Sequence, residues 1–196
     1  RAVPTWRLGA TANAAFRSVI FNDPQIGMLD ESLGPGTPTG VGEDTYLFYK
    51  VLKAGYDIVY EPTAYVWHRH RQDDEALRRQ LYNYSKGHVA YHLTTLINDK
   101  DLRGLADIFL HLPRWRVKQV TTRAKRSAKG RRTYPLRLIW TETKGNLAGP
   151  YTLWKSRQRV KELGRSDPYL PPAQRDQPVP AVPAVATERE AELVAR

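Results

Sequence analysis

The chain has 196 residues, a formal net charge of +11, no cysteine, 41% hydrophobic residues and a mean hydropathy of −0.58. This composition excludes disulfides and thiolate zinc sites, and no run approaches the roughly 18 apolar residues of a membrane-spanning helix. It leaves room for one domain with extensions, and the charge favours anionic partners such as nucleotide phosphates, nucleic acid or acidic lipid headgroups.

The chain opens at Arg1 and turns strand-like almost at once, so an upstream portion is expected. Trp6 to Ala10 reads as a short strand, and Asn13 to Phe21 as a short helix with Phe16 and Ile20 on one face. Residues 34–42, GPGTPTGVG, form a loop with unusual backbone angles. A helix follows from Glu43 to Ala54, with Leu47, Phe48, Val51 and Leu52 as its apolar stripe and Gly55 as its stop. Ile58 to Tyr60 and Ala64 to Trp67 read as short strands around a turn at Glu61-Pro62. A long helix is expected from Asp73 to about Ile97, its first turn enriched in acids. Leu102, Leu105, Phe109 and Leu112 share one helical face, and Pro113 ends that helix or begins another. No Asp or Glu occurs between Ile108 and Thr141, where the basic residues concentrate. A last helix is expected from about Gly149 to Leu163, opening at Pro150. Beyond Arg165 the Pro- and Ala-rich tail is expected to be disordered. The resulting division is 1–98, 99–164 and 165–196.

Two sets of residues carry chemistry. Gly42-Glu43-Asp44 places two carboxylates after a glycine-rich loop at the start of a helix, whose positive end favours their charged form. A carboxylate so placed can take a proton from a substrate hydroxyl, or it can simply cap the helix. His68 and His70, two apart at the end of an expected strand, put both rings on one face. They would suit a divalent metal, or they are ordinary histidines among solvated arginines.

Three runs, GATANAAFR (9–17), LDESLGPGTPTGVGEDTYLFYKVLKAGYDIVYEPTAYVWHRHR (29–71) and RQLYNYSKG (79–87), together resemble the second half of bacterial inverting family-2 glycosyltransferases. RLIWTETKGNLAGPYTLWKSRQRV resembles a C-terminal extension common among them. The resemblance implies an α/β fold: a partial GT-A domain lacking its N-terminal nucleotide-binding half, followed by a helical extension. It implies Asp44 as the base, Glu43 as its acidic companion, and His68, less firmly His70, as ligands of a catalytic Mg or Mn ion. The family's Asp-x-Asp metal motif belongs to the half not present. Asp99-Lys100-Asp101 has the letters but follows the base and lies off the relevant strand, so it is rejected as that site.

The implied reaction is a single displacement with inversion, from a nucleotide-diphospho-sugar to a hydroxyl of a glycan or lipid-linked acceptor. The chain alone would lack most of the donor pocket. Gly42 belongs to the binding loop. Asn13 would hydrogen-bond a sugar hydroxyl or cap its helix, and Arg17 would support the pocket or form an ion pair. Trp67 would stack on a sugar ring or pack in the core.

The basic segment, with Leu105, Phe109, Leu112 and Trp115, fits a helix lying on an anionic membrane surface. Nucleic acid is the weaker rival, because no recognised motif accompanies the arginines, and a merely solvated basic helix is the other reading. A cytoplasmic location, peripheral at the inner face of the cell membrane, is the matching expectation.

Overall fold

The computed structural model describes residues 5–67 and 73–163. Six α-helices organise them: α1 (Val19–Asn22), α2 (Glu43–Lys53), α3 (Asp74–Asp99), α4 (Arg103–Ala106), α5 (Leu112–Ser127) and α6 (Leu136–Glu162). Short 3-10 turns lie at Thr5–Arg7 and Thr11–Asn13, and one π-helical turn at Asp107–His111 joins α4 to α5.

No strand occurs among the described residues, which overturns the expected α/β GT-A fold. The segment expected to pair at Trp6 to Ala10 begins in the 3-10 turn instead. Ile58 to Tyr60 and Ala64 to Trp67 form no ladder, and Trp67 is 94% exposed. A strand exists only through a neighbour that takes up its N–H and C=O groups. These segments have strand-like side chains, but no described segment lies alongside to pair with them.

The helices have readable causes. α2 starts after Gly42 and buries Tyr46, Leu47, Phe48 and Val51. α3 starts at Asp73, whose carboxylate accepts a hydrogen bond from the Ala76 amide at 2.6 Å. It ends at Lys100, which adopts a left-handed φ of 58°. α6 begins well before the expected start and carries Pro150 in its interior. Proline there removes a helical hydrogen bond, at a cost of about 3 kcal/mol. Burial of Leu138, Ile139 and Leu153 against the rest of the chain holds the helix through it.

α3 and α6 form the main helix pair. Gly145 and Gly149 of α6 let the two backbones approach: a Cβ at Gly145 would lie 2.5 Å from the Tyr82 carbonyl oxygen, and one at Gly149 2.6 Å from Val89 Cβ. α2 closes the core, where Leu33, Tyr46, Tyr49, Ala90, Tyr91 and Leu153 meet. A second cluster joins Ile20, Ile26, Leu47 and Val51, flanked by Phe16, Phe21, Tyr56 and Ile58.

Polar ties fix the arrangement. Lys50 is buried and donates to the carbonyls of Ile26 and Met28, anchoring that loop to α2. Burial pushes its amine below the usual lysine range, against the pull of Asp30 and Asp99. At the end of α3, Asp99 accepts from Tyr46 at 2.9 Å and from Lys53 at 2.8 Å. Asp101 accepts from Tyr49 at 3.0 Å and pairs with Arg103. Both aspartates of the Asp-x-Asp letters therefore clasp α2 to the end of α3. Ser156 reaches across to the Ser32 carbonyl at 2.6 Å, tying α6 to the loop before α2.

Leu102 and Phe109, expected on an apolar face, are largely exposed, and α5 buries none of its residues among those described. α5 is held instead through Arg116, which pairs with the buried Glu142 of α6.

Candidate functional site

A cavity of about 820 Å³ opens where the head of α2, the middle of α3, the π turn and α6 face one another. Gly42, Glu43, Asp44 and Thr45 form one wall. Tyr84, His88 and Tyr91 of α3 line it too, as do Asp107 and His111 of the π turn. Trp6 and Trp115 supply flat apolar surface, and Glu142 and Asn146 complete it from α6.

The loop chemistry explains the first wall. Gly42 caps α2 with φ 125° while buried against α3, a backbone angle that L side chains rarely adopt. That turn delivers two consecutive carboxylates to the helix N-terminus. The Asp44 carboxylate accepts from the Thr45 amide at 2.7 Å and the Thr45 hydroxyl at 3.3 Å. Glu43 points back into the loop, so that a Cβ at Gly34 would sit 3.0 Å from its carboxylate. One Glu43 oxygen is buried with no hydrogen-bond partner.

Sequence reasoning expected the helix N-terminus to hold both acids in their charged form. For Glu43 the opposite effect wins. Burial pushes its carboxyl above the usual range, the neighbouring Asp44 charge adds to the rise, and backbone hydrogen bonds only partly offset them.

An imidazole cluster adjoins the cavity, which Trp6 and His88 line. Trp6, His88 and His92 meet edge to face, with ring centroids 4.6–5.2 Å apart. Asp107 lies 2.9 Å from His111 Nδ1 and 3.9 Å from His92 Nε2. His92 is buried and its Nε2 has no hydrogen-bond partner. Burial, reinforced by His88, holds His92 down to about 3, although Asp107 and Asp101 pull the other way. Burial lowers His88 as well.

The folded protein therefore keeps His92 neutral where the unfolded chain, titrating near 6.5, takes up a proton. Stability should fall as pH drops from about 6.5 towards 3, since the unfolded state binds more protons throughout that window. His92→Leu should flatten this dependence in urea unfolding followed between about pH 4 and pH 7. An unchanged slope would assign the pH dependence to other groups.

The structure brings Gly42, Glu43 and Asp44 together at the cavity and leaves three expected residues away from it. Asn13 donates to the Ala64 carbonyl at 3.0 Å and so ties two surface segments. Arg17 is exposed. Trp67 stands in solvent with its ring edge against Tyr65, neither in the core nor at the cavity. His68 and His70 lie outside the described residues. Among the described residues no group of three or more His, Asp or Glu is arranged to hold a metal ion.

The imidazole cluster is absent from the sequence reading. His88 and His92, and again Asp107 and His111, stand four residues apart, the spacing that puts two side chains on one helical face. That signal was present. The contributions of Trp6 and Trp115 depend on tertiary packing and had none. Compared with known proteins, the chain matches no family model, no curated protein and no solved structure.

Proposed function

We propose that this chain carries the acceptor-activating site of a glycosyl transfer, with Asp44 as the general base. The observation that carries the reading is the Glu43–Asp44 pair, delivered by the Gly42 turn to the wall of a cavity that also presents Trp6, Tyr84 and Trp115. Aromatic rings beside a carboxylate suit a sugar, whose C–H faces pack on rings while its hydroxyls need acceptors.

In the reaction, the Asp44 carboxylate takes the proton of an acceptor hydroxyl. The freed oxygen attacks the anomeric carbon of a nucleotide-diphospho-sugar from the face opposite the leaving group. The bond from that carbon to the diphosphate oxygen breaks, and the nucleoside diphosphate departs with the electron pair. Attack from the opposite face inverts the anomeric centre, as it does when water is activated by a base in inverting glycoside hydrolysis. Glu43, half-buried and pushed towards its neutral form, lies beside Asp44 without competing for the same proton.

The test is the full-length protein with a panel of uridine- and guanosine-diphosphate sugars, following release of nucleoside diphosphate. Release that depends on acceptor and is lost in Asp44→Asn supports the reading. Donor turnover that Asp44→Asn leaves intact removes the base. Glycan binding without turnover of any donor would make this a binding protein.

A further inference from the structure

α6 has two faces of opposite character. Leu138, Ile139, Glu142, Gly145, Gly149, Leu153 and Ser156 are buried on one side. Leu136, Trp140, Leu147, Tyr151 and Trp154 are between 53 and 75% exposed. At 100° per residue these five fall within an arc of roughly 60°, turned away from the buried face, and span about 27 Å of helix. An exposed apolar stripe of this length, three of its five residues aromatic, exceeds the scattered surface hydrophobics of an ordinary soluble face.

The charge around the stripe names its partner. Lys144, Lys155, Arg159 and Lys161 are exposed on α6, and the Lys144 amine sits 5.5 Å over the Trp140 ring. The acids of α6 are Glu142, buried and paired with Arg116, and Glu162 at the last turn. A second copy of a chain with net charge +11 would bring like charges together along this helix. An anionic lipid surface meets both demands. Its acyl boundary takes the stripe, Trp and Tyr rings settle at the headgroup level, and lysines reach the phosphates from a buried stem. No helix among the described residues is long and apolar enough to cross a membrane, so the helix would lie in the interface plane.

We propose that the outward face of α6 docks this protein on an anionic bilayer, with Trp140, Leu147, Tyr151 and Trp154 entering the headgroup boundary. The proposal is independent of sugar transfer, and Asp44→Asn leaves it untouched. The test measures partition of the full chain into vesicles of phosphatidylglycerol and phosphatidylcholine by co-sedimentation and tryptophan emission. Binding should appear with a blue shift and weaken as salt is raised. Leu147→Glu with Trp154→Glu should reduce partition by about tenfold or more. Lys144→Gln with Lys155→Gln, which spares the stripe, should reduce it by about tenfold on the anionic vesicles. Equal partition into phosphatidylcholine alone would overturn the proposal. So would a dimer that the two glutamates dissolve in the absence of vesicle binding, and so would no partition at all.

Discussion

Asp44→Asn is expected to lower the rate of sugar transfer by about 10²–10⁴-fold, the usual contribution of a positioned general base. The substitution is nearly isosteric. An asparagine carbonyl can still accept from the Thr45 amide, which the Asp44 carboxylate meets at 2.7 Å, so the first turn of α2 should persist. The loss should therefore fall on kcat with KM little changed, because proton removal belongs to the transition state and not to donor binding. Glu43→Gln should cost less, since the Glu43 carboxyl is already pushed towards its neutral form by burial. Near-equal losses at the two positions would instead indicate that both serve only to build the turn.

Gly145→Leu should be among the most damaging single changes to the fold. Helix propensity alone predicts a gain of roughly 1 kcal/mol on replacing a mid-helix glycine. Close packing predicts the reverse. A Cβ at this position would lie 2.5 Å from the Tyr82 carbonyl oxygen and 2.8 Å from Ser85 Cβ, both across the seam on α3. The carbonyl is backbone and has no rotamer to move to, so the whole helix must shift. The net loss should be about 3 kcal/mol or more, at the upper end of overpacking effects. Thermal unfolding should show a Tm lowered by roughly 10 °C. Gly145→Ala should show the same sign at smaller size, and Leu147→Ala, on the exposed face of the same helix, should stay within about 0.5 kcal/mol. A Gly145→Leu protein as stable as the parent would mean that α3 and α6 are not held backbone to backbone.

What the sequence made legible follows from whether its cause is local. The start of α2 after Gly42, its stop near Gly55, and the start of α3 at the acidic run from Asp73 all depend on neighbouring residues, and the structure reproduces them. The first half of α6 was hidden because Pro150 resembles a helix start. Only the packing of Leu138 and Ile139 on the rest of the chain shows that the helix is already under way. Ile58 to Tyr60 and Ala64 to Trp67 have the composition of strands, but pairing is a property of two segments and cannot be read from one. At the site, Glu43 and Asp44 were visible through the glycine loop before them. The reversal at Glu43 was not, because burial is set by the distant Gly34 and the fold of the loop around it.

The α3–α6 seam also has a kinetic side. Its partners are separated by residues 100–135, which include α4, the π turn and α5. The chain must close that long excursion before Gly145 and Gly149 can meet α3. Closure entropy grows only slowly with loop length, so lengthening or shortening the excursion should alter equilibrium stability little. The pairing is nonetheless non-local for a helical protein, and non-local contacts slow the search for the native topology. The union of α3 and α6 requires the intervening chain to fold back, so refolding is expected to be slower than in a bundle whose paired helices are neighbours in sequence.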